Sequence, residues 1–436
     1  MTRPNDLITR SRAAVWHPCT QMKALDAVPP LAIVRGEGAW LIDADGKRYL
    51  DAISSWWVNL FGHAHPRINA ALTDQLGQMA HVMLAGCTHA PVVELSERLA
   101  ALSGLGHAFY ASDGASATEI ALKMSFHYWR NTGQPEKRRF ISLKNSYHGE
   151  TLGALSVTDV ALFKDTYAAL LNDSHQVMSP DARQAAPGET ASDVARRAAA
   201  DLEAWLTEHA ATTAALIVEP LVQGATGMAM YDADYLRLAR ALCDQFNIHL
   251  IADEIAVGFG RTGTFFACEQ AGITADFLLL SKGITGGYLP LACVLTTDTV
   301  YAAFYDDATA RGFLHSHSYT GNPLACRAAL AVLDIFATEA VLERNSQTAA
   351  QFNALLEPVR HHPRVRHFRQ TGMIWAFDVV DAPPGFADHW QLAARAQGIL
   401  MRPIGATVYF MPPYILDEAA LQHLATTTLA LLDRGT

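Results

Sequence analysis

The chain has 436 residues, half of them hydrophobic and only 17% charged, a composition that excludes a disordered chain, a collagen, a coiled coil and a disulfide mini-protein. Lys and Arg number 33 against 43 Asp and Glu, a formal charge of −10. No basic stretch interleaves with aromatic residues, so nucleic-acid and anionic-membrane partners are not expected and the partner is expected to be small.

At ~150 residues per domain the length suits a large α/β unit with a smaller companion. Residues 1–70 are rich in turn formers and aromatics and are expected to contribute to the small domain. Within them AWLIDADGKRYLD (39–51) places apolar runs on either side of the Asp45-Gly46 turn signal, as a hairpin does. From 71 to 330, short apolar runs alternate with helical stretches, the pattern of a mostly parallel sheet with helices on both faces. The candidate strands are HAFYA (107–111), RFISLK (139–144), AALIVE (214–219), HLIADEI (249–255), FLLLSK (277–282) and LACVLT (291–296). Residues 191–210 and 232–246 read as helices. Residues 331–436, with a further helix, strand-like WAFDVV and the Pro-rich MPPY loop, are expected to form a smaller α+β domain.

Six well-separated cysteines lack Cys-x-x-Cys pairs and read as reduced cytosolic thiols rather than a zinc or redox site. MTRPNDLITRSRAAVWHP has no continuous apolar run, and no window of 18 apolar residues spans a bilayer, so a cytoplasmic protein is expected.

Ligands of open α/β sheets bind beyond the carboxyl ends of the strands, and polar residues collect there. HAFYA leads into Ser112-Asp113-Gly114-Ala115-Ser116 and then a run with apolar residues at helical spacing. Such a loop offers free N–H groups and a positive dipole end to an anion such as phosphate; its plain alternative is an ordinary Ser or Asp N-cap. RFISLK leads to Tyr147, whose ring can stack on a flat heterocycle or simply pack. AALIVE ends in Glu219-Pro220, and HLIADEI carries Asp253 and Glu254, of which one can face a given pocket. FLLLS ends in Lys282 among small residues, where a desolvated amine becomes a nucleophile or merely snorkels from the sheet edge.

An anion site at Gly114, a ring under Tyr147, a ring nitrogen paired with Asp253 and an aldehyde condensed with Lys282 together describe pyridoxal 5′-phosphate, PLP. GFGRTG (258–263) matches G-x-G-x-x-G but neither follows its strand directly nor opens a plausible crossover helix, so a nicotinamide cofactor is rejected. His315, His317, His361 and His362 lack partners at metal spacing and read as solvated or packing residues; no metal is expected.

VEP (218–220), IADEI (251–255), GFGRTG (258–263), SKGITGG (281–287) and HSHSYTGNPLAC (315–326) resemble the class III, or ω-, aminotransferases of PLP fold type I across essentially the whole chain. The resemblance implies that Lys282 binds the cofactor covalently, Asp253 pairs with its pyridinium nitrogen and Tyr147 stacks on its ring. It further implies that the 113–115 loop (Asp113, Gly114, Ala115) holds the phosphate. Ser318, where family members usually have Thr, would reach the phosphate of a neighbouring subunit, implying a homodimer with sites at the interface.

WHPCTQM (16–22), SSWW (54–57) and RPIGATVYFMPPY (402–414) resemble the biotin-pathway branch of that family. That branch implies 8-amino-7-oxononanoate as acceptor and S-adenosylmethionine as amino donor. Trp56 and Trp57 would wall an apolar trough, Arg402 would clamp the acceptor's carboxylate, and Tyr409 and Tyr147 would supply hydroxyls. Cys19 stands where members commonly have Tyr, and Glu150 where some have Asp. Other ω-aminotransferases, using lysine, putrescine, ornithine or β-alanine, and PLP-dependent aminomutases are the alternatives.

Overall fold

A computed structural model describes residues 4–435, which divide into two compact units. The larger comprises Arg67–Ser346 with Arg369–Ile374; the smaller comprises, among the described residues, 4–66, 347–368 and 375–435.

The larger unit is built on seven strands: β1 (His107–Ala111), β2 (Arg139–Leu143), β3 (Ser174–Val177), β4 (Thr213–Val218), β5 (His249–Asp253), β6 (Phe277–Leu280) and β7 (Ala292–Thr296). Their order across the sheet is β1-β7-β6-β5-β4-β2-β3. From β6 to β3 every pairing is parallel, with Asp253 opposite Leu279 and Ala252 opposite Val218. Strands β4, β5 and β6 are buried along their whole length, which is why they read as unbroken apolar runs.

Strand β7 instead runs antiparallel to both β6 and β1. The 281–291 connection holds only a one-turn 3₁₀ segment, Lys282–Thr285, whereas a parallel return needs a crossover of roughly a dozen residues, usually helical. LACVLT is therefore a correctly placed strand of opposite direction, in a sheet that is mixed and largely parallel. Strand β3, Ser-His-Gln-Val at the sheet edge, has too little apolar character to stand out in the sequence.

The helix Gly114–Asn131 lays Ala117, Ile120, Ala121 and Met124 into the core formed with Ile217, Ile251, Phe277 and Val294. On helix Ala191–His209, Thr190 and Asp193 form a reciprocal capping box, and this helix packs on Asp234–Gln245. Among the described residues no helix is long and apolar enough to cross a membrane.

The smaller unit carries a four-stranded sheet in which Trp40–Asp43 and Arg48–Asp51 form an antiparallel hairpin and Ile399–Leu400 pairs parallel to Arg48–Asp51. A second sheet pairs Ile374–Val379 antiparallel to Thr407–Phe410, with Trp375 opposite Phe410. Phe352 packs edge-on against both of those rings, fixing the strand that leads into the MPPY loop.

Candidate functional site

In the larger unit, β2, β4, β5 and β6 run parallel, so their carboxyl ends deliver Tyr147, Glu219, Asp253 and Lys282 to one edge of the sheet. Lys282 sits at φ 43°, a left-handed conformation that costs a non-glycine residue energy and is held only by its surroundings. Burial pushes its amine below the ordinary lysine range, while the carboxylates of Asp253 and Glu219 pull it upward. The result is an amine with more free base at neutral pH than a surface lysine.

Asp253 is buried, with Oδ2 2.7 Å from His148 Nδ1 and Oδ1 accepting the Ile255 N–H at 3.1 Å. An ionised carboxylate can only accept, so Nδ1 carries the proton of that bond. His148 is itself buried, and its Nε2 has no hydrogen-bond partner. The sequence places Tyr147 at this edge but gives no sign that the next residue turns inward to orient Asp253; the only available signal is its place in Ser-Tyr-His-Gly. Of the neighbours Asp253 and Glu254, Asp253 is the one held in this cluster. Glu254 turns away to accept the Ala267 and Cys268 N–H groups.

Glu219 is buried and pushed up to about 7, mainly by desolvation; the His148 ring lowers it, Asp253 raises it, and the N–H groups of Tyr147 and Gly224 stabilise its charge. The first of those bonds pins the backbone of Tyr147. The Tyr147 ring packs edge-on against Phe163 at 5.7 Å, and its hydroxyl donates to Glu150 at 3.0 Å.

At the start of helix Gly114–Asn131 the Asp113 carboxylate accepts from both the N–H and the hydroxyl of Ser116. Asp113 thus acts as N-cap. This leaves anion binding to the first backbone N–H groups, at Gly114 and Ala115, which a helix cannot satisfy internally. A Cβ on Gly114 would lie 2.9 Å from Ile255 Cδ1, and one on Gly149 2.6 Å from Ala115 Cβ, so the loops beside the helix end are closely fitted. His317, read from sequence as solvated or packing, has Nε2 2.9 Å from Ser112 Oγ on the same loop. Ser318 is exposed, and its carbonyl lies 2.6 Å from His81 Nε2.

These residues fit PLP: a buried lysine of depressed basicity, an oriented carboxylate, a helix start free for phosphate, and an orphaned buried nitrogen on His148. The GFGRTG segment, by contrast, is a loop followed by the short 3₁₀ turn Ala267–Ala271.

The smaller unit gathers the other predicted residues. Trp57 is buried and donates its indole N–H to the Tyr409 hydroxyl at 3.2 Å, with the two rings edge-on. Trp56 is 43% exposed, and the Arg402 guanidinium lies 5.2 Å from its ring centre. Arg402 also donates to the Cys19 carbonyl at 2.8 Å, so position 19 contributes its backbone here while its thiol is exposed. Burial pushes the Tyr409 hydroxyl up to about 12, which keeps it protonated.

The two tryptophans lie on a left-handed turn: Ser54, Ser55, Trp56 and Trp57 have φ of 51°, 47°, 76° and 71°. L-residues disfavour this handedness by roughly 1–2 kcal/mol each, so four in succession need external support. Nothing in the sequence signals this turn, because it contains no glycine.

The chain matches the family model for Aminotransferase class-III over residues 22–431. It is 43% identical over 426 residues to the adenosylmethionine-8-amino-7-oxononanoate aminotransferase of Helicobacter pylori, covering 96% of each chain, and 40% identical to that of Geobacter sulfurreducens, covering 95% and 94%. The crystal structure of the protein of that name from Methanocaldococcus jannaschii superposes with a TM-score of 0.92 at 34% identity, covering 99% of both chains. An ω-transaminase from Pseudomonas jessenii, solved in complex with PMP, superposes at 0.93 with 29% identity and 98% coverage of both.

Proposed function

The chain belongs to the class III aminotransferases, and from that premise we propose the residue roles by which it transfers an amino group from S-adenosylmethionine to 8-amino-7-oxononanoate, giving 7,8-diaminononanoate for biotin synthesis. The enzyme is PLP-dependent. Bound PLP supplies an aldehyde for the amine and a ring that takes up the electrons of the broken C–H bond.

Lys282 would hold the cofactor covalently, and its Nζ, freed when the donor amine takes its place, would take the proton from the donor's amine-bearing carbon as general base and deliver it as acid to the carbon that was the cofactor's aldehyde. Asp253, oriented by His148, pairs with the ring nitrogen, and Tyr147 stacks on the ring. The Gly114 and Ala115 N–H groups take the phosphate. The acceptor is a long alkyl chain ending in a carboxylate, with a ketone beside an amine. Arg402 receives that carboxylate and Trp56 walls the chain, while the buried Trp57, held by the Tyr409 hydroxyl, backs that wall.

The observation that carries the substrate assignment is the grouping of Arg402 over Trp56 with the buried Trp57–Tyr409 pair, an apolar wall ending in a cation. The same reading makes the enzyme a cytoplasmic homodimer with Ser318 reaching the partner's phosphate. Its support is the exposed Ser318 loop and the six free thiols, which suit a reducing compartment.

The test is to supply the PLP-loaded protein with S-adenosylmethionine and 8-amino-7-oxononanoate and to follow 7,8-diaminononanoate by mass spectrometry. Product is expected with both substrates and not with lysine, putrescine, ornithine or β-alanine as donor. Product only with one of those donors would overturn the assignment of donor and leave the aminotransferase roles in place.

A further inference from the structure

The left-handed turn that carries Trp56 and Trp57 is tied to one carboxylate. Asp51, at the end of strand Arg48–Asp51, is fully buried. Its Oδ1 accepts the Ser55 N–H at 2.8 Å and its Oδ2 accepts the Ser55 hydroxyl at 2.7 Å. Both donors of one residue in the middle of the turn are thus held by both oxygens of one side chain.

The carboxylate is in turn braced. His63 Nε2 lies 3.1 Å from Asp51 Oδ2, and His63 Nδ1 lies 3.2 Å from Asn59 Nδ2. An amide nitrogen only donates, so Nδ1 accepts and Nε2 carries the proton directed at Asp51. Asn59 spends its carbonyl oxygen on the Gly62 N–H at 2.7 Å and its own backbone N–H on the Ser54 carbonyl at 3.1 Å. The chain of bonds therefore leaves the turn at Ser55 and returns to it at Ser54. Gly62, at φ 81°, is required for this closure: a Cβ there would stand 2.3 Å from Ile415 Cδ1 and 2.8 Å from the Gly38 carbonyl. Two flanking bonds complete the frame, Trp57 N–H to the Ile53 carbonyl at 2.8 Å and Met411 N–H to the Ala52 carbonyl at 2.9 Å.

A buried carboxylate costs free energy unless its oxygens are satisfied, and a left-handed run of ordinary residues costs free energy unless it is held. Here each offsets the other. The handedness also decides presentation, because it sets Trp56 outward under Arg402 and Trp57 inward onto Tyr409. A turn relaxed to the right-handed form would redirect both rings and uncover the guanidinium.

We propose that Asp51, braced by His63 and Asn59, is a positioning residue for the carboxylate-terminated acceptor, holding the Ser54–Trp57 turn left-handed so that Trp56 and Arg402 form one recognition surface. This rests on the acceptor assignment above and adds the element that enforces it. Asp51 itself touches no substrate.

The test uses Asp51→Asn, Ser55→Ala and the double variant Asp51→Asn/Ser55→Gly, each as full chain. An amide at position 51 turns a donor toward His63 Nε2–H and breaks the brace, while glycine at position 55 adopts positive φ without support. Asp51→Asn is expected to raise the acceptor KM by roughly tenfold, the size of one or two buried hydrogen bonds, with kcat within about threefold. PLP affinity should be unchanged, and the near-ultraviolet circular dichroism of the apoprotein should change in the tryptophan bands by the share that Trp56 and Trp57 contribute among eight tryptophans. Ser55→Ala should move the same way by a smaller amount and serves if Asp51→Asn folds poorly. Ser55→Gly should recover at least about threefold of the lost KM in the Asp51→Asn background.

An unaltered tryptophan spectrum in Asp51→Asn overturns the proposal, as does an altered spectrum with an unaltered acceptor KM, or an absence of rescue by glycine. Because the spectrum is read without substrate, its result stands apart from the acceptor assignment, which fails only if wild-type protein does not use 8-amino-7-oxononanoate.

Discussion

His148 Nδ1 stands 2.7 Å from Asp253 Oδ2, and both side chains are buried at the carboxyl edge of the parallel strands. The bond gives Asp253 a fixed direction and a donor that water would otherwise supply. Removing one partner of a buried charged hydrogen bond costs about 1–3 kcal/mol. His148→Ala should therefore weaken PLP retention by roughly tenfold or more, measured by equilibrium dialysis against the free cofactor. His148→Asn, whose amide nitrogen can stand where Nδ1 stands, should recover much of it. Equal loss in both variants would mean that the ring matters for packing rather than for Asp253.

Glu219 gives a pH prediction with a definite sign. Its folded-state value is raised from 4.5 to about 7, so between those values the folded chain holds a proton that the unfolded chain has lost. The resulting stabilisation is fully present below pH 4.5 and is lost as pH rises through about 7, amounting to about 3 kcal/mol. Apoprotein should accordingly lose urea resistance between pH 5 and pH 8 more steeply than Glu219→Gln does. The amide variant should be less stable throughout, since it can accept from only one of the Tyr147 and Gly224 N–H groups. Parallel pH profiles would show that Glu219 stays ionised in the fold.

Lys282 supports a test that reads chemistry rather than rate. Its depressed basicity favours the free amine that condenses with an aldehyde. Borohydride should fix PLP to the wild-type chain, adding the reduced cofactor's mass to the peptide containing Lys282, and should fix none to Lys282→Ala. Turnover of that variant should fall by several orders of magnitude. Labelling of another lysine in wild-type protein would move the covalent site.

Legibility in the sequence followed burial on both faces. Strands such as Thr213–Val218 and Phe277–Leu280, covered on each side, have no polar alternation to confuse them, so their ends and the residues beyond could be read directly. Lys282 and Asp253 stood out because each is charged at the end of such a run. Strand Ser174–Val177 lies at the sheet edge and was invisible for the converse reason. The contacts of His148 and His317 are not legible because they join residues distant in sequence, 105 positions apart for His148 with Asp253 and 205 for His317 with Ser112. For Asp51 the missing information was the handedness of a turn four residues on, which Ser-Ser-Trp-Trp does not encode by propensity.

Arg402 is the residue by which acceptor and cofactor effects should separate most cleanly. Its guanidinium is exposed, lies 5.2 Å from the Trp56 ring centre and uses one donor on the Cys19 carbonyl, leaving others of its five for a ligand. Arg402→Ala removes a charge-assisted pair worth about 1.5–3 kcal/mol, so acceptor kcat/KM should fall between roughly tenfold and a hundredfold. Arg402→Lys should recover little, because an ammonium cannot make the two-pronged paired contact with a carboxylate while also bonding the Cys19 carbonyl. Cys19→Ala should be nearly silent, since it is the carbonyl and not the thiol that Arg402 uses. The discriminating measurement is the single-turnover reaction of PLP-loaded Arg402→Ala with S-adenosylmethionine alone. Retention of that half-reaction beside a weakened acceptor half assigns Arg402 to the acceptor's carboxylate, whereas equal damage to both halves would assign it to a group the two substrates share.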